Sequence, residues 1–189
     1  MASLVLALTS LWALPALAAL EVAGVRFDDQ TSLASQALVL NGAGVRVKMI
    51  IKVYAVGLYV PRKETAPAAI LNQAGPKSIR IVMLRSVSGE KLANALTEGI
   101  EDNVSPADLL SLQPRIDELE AAMRSAGEAV KGAQIQLDYL PGIGTRVTMG
   151  GKPLGKDIAG EDFYRALLKI WLGEHPSDRS LKGDLLGQS

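Results

Sequence analysis

Apolar and polar positions alternate with a period of two over the first part of the chain, change to helical spacing in the middle, and alternate again before a final helix. Strands are predicted at residues 21–26 and 36–40, followed by a turn at Asn41-Gly42-Ala43-Gly44 and a long β-branched run over residues 45–60 that Pro61 ends. Within that run Val45, Val47, Met49, Ile51 and Val53 share one face. Arg46, Lys48, Ile50, Lys52 and Tyr54 share the other, a mixed face suited to lining a cleft. A short helix is expected at residues 68–73 and another strand at 78–85. Leu92, Leu96 and Ile100 then recur every four residues between Gly89 and Asn103, which predicts a helix. A second helix starts at Ser105-Pro106-Ala107-Asp108, where the serine caps, the proline fits the first helical position and the aspartate takes the capping-box position. Pro114 is expected to bend or restart it. Residues 134–139 and 145–149 form a predicted hairpin, and Gly150-Gly151 suits a tight turn into a short strand at Lys152-Pro153-Leu154. Residues 162–172 give the clearest helix, with Phe163, Ala166, Leu167, Ile170 and Trp171 on one face and Gly173 to stop it. Trp171 belongs to the core on this pattern, and a last turn or two is expected over residues 177–186. Strands, helices, strands and a helix in that order indicate an α+β fold with an antiparallel sheet backed by helices.

Residues 1–19 fall outside this pattern. They carry no charge, are mostly Leu and Ala, and place Pro15 just before Ala16-Leu17-Ala18, a fit to the A-x-A signature of a secretory cleavage site. A signal peptide over residues 1–19, cleaved after Ala18 or Ala19, is the expectation, with residues 20–189 as one exported domain working in the periplasm or outside the cell. An uncleaved anchor is the alternative, because the stretch approaches the roughly 20 apolar residues that span a bilayer. After cleavage no stable membrane span is expected.

The whole chain has 189 residues, 20 Lys+Arg against 20 Asp+Glu, no cysteine and one histidine. Balanced charge argues against a nucleic-acid partner, because phosphate neutralisation needs a marked cationic excess. Without cysteine there is no disulfide, zinc knuckle, thiol nucleophile or iron–sulfur cluster, and His175 alone makes no metal site, so no cofactor is expected. His175 follows a helix end and precedes a proline, as a loop histidine does. The glycine pieces Gly42-Ala43-Gly44 and Gly142-Ile143-Gly144 continue as neither a dinucleotide fingerprint nor a P-loop and read as turns. Asp117, Glu118 and Glu120, among Arg115 and Arg124, read as a solvated helix face.

Two side chains stand out on the mixed face of the long run. Arg46 follows the glycines and is either a strand-end residue reaching solvent or a fork for a carboxylate or phenolate. Tyr54 lies eight residues on, roughly 26 Å away if the strand is straight. One ligand touches both only if the strand bends or the ligand is long. Tyr59 falls on the opposite face, as a structural residue would.

The string Gly42-Ala43-Gly44-Val45-Arg46-Val47-Lys48, followed by Lys52-Val53-Tyr54-Ala55-Val56-Gly57-Leu58-Tyr59-Val60, resembles the chalcone isomerase-like family. The likeness continues through Ser78-Ile79-Arg80-Ile81-Val82-Met83, through Val87-Ser88-Gly89-Glu90-Lys91, and over residues 163–173. It implies an open-faced β-sandwich, a large antiparallel sheet with a helical layer on one side and a ligand cleft between the two. Plant enzymes of this family close a flavanone ring by adding a phenolate to an enone. They use an arginine after the glycines, a threonine in the next strand, and a tyrosine and an asparagine on the following helix. Arg46 matches the arginine, Tyr54 stands at the threonine position, Leu92 is nearest the tyrosine and Gly99 nearest the asparagine. The segment between Arg46 and Tyr54 is also shorter than in those enzymes. Losing such donors removes about 10² to 10³ in rate for each, by analogy with an oxyanion hole.

Family members without the catalytic set resemble binding proteins for fatty acids or similar apolar carboxylates. The resemblance then implies that Arg46 neutralises a head group, with Tyr54 beside it, while Leu92 and Leu96 line an apolar channel. An intramolecular lyase acting on a flavonoid-like substrate, with Arg46 and Tyr54 retained as its catalytic pair, is the second reading, and an accessory protein of the envelope is the third.

Overall fold

The computed structural model describes residues 19–188, so the expected signal peptide lies outside the described residues apart from Ala19. The chain opens with a hairpin, β1 (Ala19–Val22) and β2 (Val25–Asp28), whose turn holds Ala23 and Gly24 at positive φ. The main sheet follows. It contains β3 (Gln30–Leu33), β4 (Gln36–Lys48), β5 (Ile51–Val60), β6 (Lys77–Met83), β9 (Gln134–Leu140), β10 (Gly144–Met149) and β11 (Lys152–Pro153). These seven strands run in the order β11-β10-β9-β6-β5-β4-β3, with every neighbour antiparallel. A two-residue ladder, β7 (Val87–Ser88) with β8 (Glu128–Ala129), ties the helical excursion to one end of the sheet.

Five helices complete the described residues: α1 (Pro67–Asn72), α2 (Gly89–Glu101), α3 (Pro106–Ser125), α4 (Glu161–Leu172) and α5 (Arg179–Leu185). The Ser88 hydroxyl accepts from Lys91 N at 3.4 Å to cap α2, and the Ser105 hydroxyl accepts from Asp108 N at 3.1 Å to cap α3. Of the bend or restart expected at Pro114, the restart does not occur: α3 is one helix through that position. The missing N–H frees the carbonyl of Leu110, and both residues lie on the exposed face, open to solvent.

The helical layer covers one face of the sheet. Val56 and Leu58 of β5, Ile79 and Ile81 of β6, and Leu137 of β9 meet Phe163, Leu167 and Trp171 of α4 in the principal core. Nearly all of α4 is buried, more than the single stripe in its sequence predicts, because it is wrapped by α1, α2 and α5 as well as by the sheet. The Tyr164 hydroxyl donates to the Leu137 carbonyl at 3.0 Å and pins α4 to β9. On the other face the β1–β2 hairpin covers only the β4–β5 side, where Phe27, Leu38, Leu40, Ala43, Ala55 and Tyr59 form a smaller core. Tyr59 is structural as expected, its hydroxyl donating to Asp28 O at 3.1 Å.

The segment Asn41-Gly42-Ala43-Gly44 is not a turn but the middle of the 13-residue strand β4. A register shift between Leu40 and Gly42 marks a bulge that turns Asn41 inward, where its amide donates to the carbonyls of Glu64 and Leu185 at 3.0 and 2.7 Å. The glycines are present because α5 lies against them. A Cβ on Gly42 would stand 2.1 Å from the Asp184 carbonyl, and one on Gly44 would stand 2.4 Å from Asp184 Oδ2. Glycine inside a strand marks such a close backbone approach as readily as a turn. Gly42→Ala should therefore lower unfolding stability by about 1–3 kcal/mol through overpacking, read as a reduced urea midpoint at unchanged slope. An unaltered midpoint would show that α5 is free to lift off the strand.

Candidate functional site

The reversal of the chain lies at Met49-Ile50, not at the glycines. Met49 has φ +59° and both side chains point into solvent, so residues 45–60 form a hairpin rather than one long strand. This corrects the separation expected between the two candidate residues: Arg46 on β4 and Tyr54 on β5 are direct cross-strand partners. Side chains so placed share a face and lie within reach of each other. The register slips by one residue between Arg46 and Val47, leaving Val53 without a partner in β4. A bulge re-aims side chains, and Ile51, Val53 and Tyr54 all line the cleft on the helical side of the sheet. Lys52 does not.

The phenol of Tyr54 is fixed from behind by Trp171, whose indole Nε1 donates to Tyr54 Oη at 3.0 Å. Tryptophan only donates, so Tyr54 is the acceptor there and keeps its own proton to give. Part of the tyrosine ring remains exposed in the cleft, but the hydroxyl is enclosed. That burial raises its pKa above the ordinary 10.0, opposed by the Trp171 hydrogen bond, the Arg46 charge and Ser177, and assisted by the Asp178 charge. Ser177 approaches from the chain after α4. Its buried Oγ influences Tyr54 without meeting hydrogen-bond geometry, which leaves it unpartnered among the described residues.

Arg46 is mostly covered and faces Asp178, with Nη1 to Oδ2 at 3.6 Å, and it also donates to the Val47 carbonyl. Asp178 is held on every side: Oδ2 accepts from Val47 N at 3.2 Å, and Oδ1 caps α5 by accepting from Ser180 N and Leu181 N at 3.0 and 3.2 Å. The arginine is therefore a partly compensated cation rather than a free one. Arg46, Tyr54 and Ser177 all line the cleft, which brings a guanidinium and two hydroxyl groups together on one side of it.

The cleft has a volume of about 730 Å³ and lies between the β4–β5 hairpin, residues 85–88, α2 and residues 175–177. From α2 it takes Lys91, Leu92, Ala95, Glu98 and Gly99, a face of i, i+3 and i+4 spacing, and from its C-cap Asp102. Of the residues singled out from the sequence, Arg46, Tyr54 and Leu92 come together here. Leu96 does not line the cleft; it turns one step round the helix and packs against the principal core. At Gly99 a Cβ would sit 2.9 Å from Ile170 of α4, so this position is closed by helix packing and has no room for an asparagine. Sequence reasoning missed Asp178 and Ser177. The aspartate before the last helical turn was a readable capping signal, but nothing local tied it to Arg46, 132 positions away. It also gave Trp171 a purely packing role, since a pattern of apolar spacing does not show where an indole N–H points. His175 lies at the cleft's rim, its backbone held by the Asn103 side chain at 2.9 and 2.8 Å.

The sequence model for chalcone isomerase-like proteins matches residues 19–187, nearly all of the chain. The chain belongs to the chalcone isomerase-like family. The crystal structure of a fatty-acid binding protein from Arabidopsis thaliana aligns with a TM-score of 0.66 over 86% of this chain and 92% of that one, at 19% sequence identity. At that identity the likeness establishes the shared fold. The large antiparallel sheet with its helical layer is thus the family's architecture, as the sequence resemblance implied. No curated protein matches the sequence. The four residues that the resemblance set against the catalytic residues of the ring-closing enzymes, Arg46, Tyr54, Leu92 and Gly99, all line the cleft.

All four tyrosines, Tyr54, Tyr59, Tyr139 and Tyr164, have their pKa raised above 10.0, in each case chiefly by burial. The unfolded chain thus ionises first as pH rises. The stability these groups contribute is complete below about pH 10 and is lost as pH climbs through the folded-state values. Native protein should develop phenolate absorbance at higher pH than the urea-unfolded chain, and Tyr54→Phe should reduce that difference. Coincident titration curves would refute the burial of these hydroxyls.

Proposed function

We propose that the protein binds a fatty-acid-like or other apolar carboxylate in this cleft and does not close a flavanone ring. The observation that carries this reading is a cluster of donors beside an apolar strip in one cleft. Arg46, Tyr54 and Ser177 offer donors, Val53, Leu92, Ala95 and Ile170 supply apolar wall, and Lys48, Arg85, Lys91, Glu98, Asp102 and Glu128 add charged groups to the lining. A carboxylate needs donors for its head group and apolar surface for its tail. The two helix positions at which the plant enzymes hold a ketone carry a leucine and a glycine. Neither side chain carries a hydrogen-bonding group, so the transition-state hydrogen bonds of ring closure have no source at these two positions. The fatty-acid binding of the Arabidopsis protein that shares this fold is consistent with the reading.

The site is at the same time damped by Asp178. A ligand carboxylate entering beside Arg46 meets a fixed anion 3.6 Å from the guanidinium. Removing either partner should therefore act in opposite directions. With a fluorescent fatty-acid probe, Arg46→Ala should weaken binding about 10- to 100-fold, the worth of a charge-assisted hydrogen bond. Asp178→Asn should tighten it several-fold while keeping the cap on α5, because asparagine caps as well as aspartate. Native mass spectrometry on protein taken from its own compartment should reveal a co-purifying acidic apolar ligand. If none co-purifies and Arg46→Ala leaves affinity unchanged, the binding reading fails. Cyclisation of naringenin chalcone faster than the spontaneous rate would restore the enzyme in its place.

The cellular location belongs to the same proposal. Residues 1–18 carry the apolar, alanine-ended segment, and the family match begins at Ala19. Export with cleavage after Ala18 or Ala19 leaves the folded domain essentially whole. N-terminal sequencing of the protein recovered outside the cytoplasm is the direct test, and a retained Met1 would defeat the proposal.

A further inference from the structure

The tip of the β4–β5 hairpin has no explanation in folding. Met49 and Ile50 are 92% and 93% exposed, so neither contributes to a core. The positive φ falls at Met49, the first of the two central residues, where a two-residue hairpin of this kind favours glycine. A methionine there adds backbone strain and exposes apolar surface, two costs that a glycine would avoid.

The charged residues that flank the tip on its strands are cationic. Lys48 and Lys52 flank the tip on the two strands, and Ile51, itself 45% exposed, continues the apolar surface inward. Because β6 and β9 run antiparallel beside β5, the chain after Met83 and the chain before Gln134 emerge at the same end of the sheet. They bring Arg85 and the exposed pair Val130 and Lys131, with Lys131 N donating to Ser86 Oγ at 3.3 Å. Among the described residues none of Lys48, Lys52, Arg85 and Lys131 takes part in an ion pair. Glu128, on the exposed side of β8, and Glu98 and Asp102 are the acids that line the same cleft as Lys48 and Arg85.

We infer that this end of the molecule docks on an anionic lipid bilayer, with Met49 and Ile50 entering the interface and the surrounding lysines and arginine resting on the head groups. A protruding two-residue apolar tip in a cationic ring fits a bilayer, whose surface admits a small wedge anywhere. A stable protein interface needs a broad complementary face of about 1,000 Å² or more, and a hairpin tip does not offer one. No helix among the described residues is long and apolar enough to cross a membrane, so the contact is interfacial. Its position also has a use: Lys48, Met49 and Ile51 belong both to the tip and to the mouth of the cleft. A tip seated in lipid opens the cleft onto the acyl chains. Docking stands on the tip alone and does not need the ligand assignment.

The test is co-sedimentation of the folded domain with phosphatidylcholine vesicles, with and without about one-third phosphatidylglycerol. The unaltered protein should bind the anionic vesicles, prefer them clearly to the neutral ones, and release them as salt is raised. Ile50→Ser, at a residue that does not line the cleft, should weaken partitioning roughly tenfold, as expected for withdrawing one large apolar side chain from lipid, with no change in urea midpoint. Lys48→Glu/Lys52→Glu should abolish the preference for phosphatidylglycerol. Absence of binding, equal binding to both vesicle types, or undiminished binding by Ile50→Ser would each overturn the inference. Fatty-acid affinity of Ile50→Ser, measured without vesicles, should equal that of the unaltered protein, so a failed ligand reading and a failed docking reading give different results.

Discussion

The close approach of α5 to β4 is the constraint from which the rest of the site follows. Two strand positions without side chains let the helix backbone settle directly on the sheet. Gly42, Gly44 and Arg46 lie on one face at intervals of two, so a helix seated on the glycines presents its first turn to the arginine. Asp178, at that first turn, then does three things with two oxygens. It satisfies the end of α5, holds the strand N–H of Val47, and stands opposite the guanidinium. Packing thereby sets the electrostatics of the cleft: the position of Asp178, the acid that faces Arg46, is determined by where a helix fits against glycine.

A fully exposed arginine would be strongly hydrated, and a buried one without a counter-charge would carry a large desolvation cost. The structure takes an intermediate course. Arg46 is half paired, Tyr54 is neutral and oriented by Trp171, and Ser177 is enclosed with an unspent hydroxyl. Such a set is organised before any ligand arrives, so little ordering remains to be done on binding. It also limits head-group attraction, because an incoming carboxylate shares the cation with a resident one. Under the proposed binding function the apolar wall then supplies much of the affinity, and the donors supply orientation.

Much of the architecture was legible because its signals are local and repeated, as in the serine-capped start of α3 and the hairpin of β9 and β10, whereas the strand expected over residues 21–26 is crossed by the turn at Ala23-Gly24 and α4 is buried beyond its single stripe. Resemblance carried by the segment around Arg46 and Tyr54 supplied the family. What was hidden depended on two ambiguous cues. Glycines in Gly42-Ala43-Gly44 look like a turn when no partner is visible, whereas their reason is a helix more than 130 residues away. Met49-Ile50, the real turn, lacks every residue type that announces one, so the alternation seemed to continue through it. The length of the apparent strand was the available warning, since 16 residues far exceeds the usual 5–6. Once the reversal is placed there, Arg46 and Tyr54 move from opposite ends of a strand to adjacent positions. Leu96 shows the remaining limit: helical spacing identifies an inward face but does not divide core from cleft one residue apart.

Trp171 ends the helix most deeply enclosed in the fold, yet its one polar atom touches the tyrosine that faces the open cleft. It is the sole tryptophan among the described residues. An indole in that position is an optical probe already installed by the protein. Its emission responds to the hydrogen bond at Nε1 and to the water content beyond the phenol, so the occupancy of the cleft is written into the intrinsic fluorescence without a label.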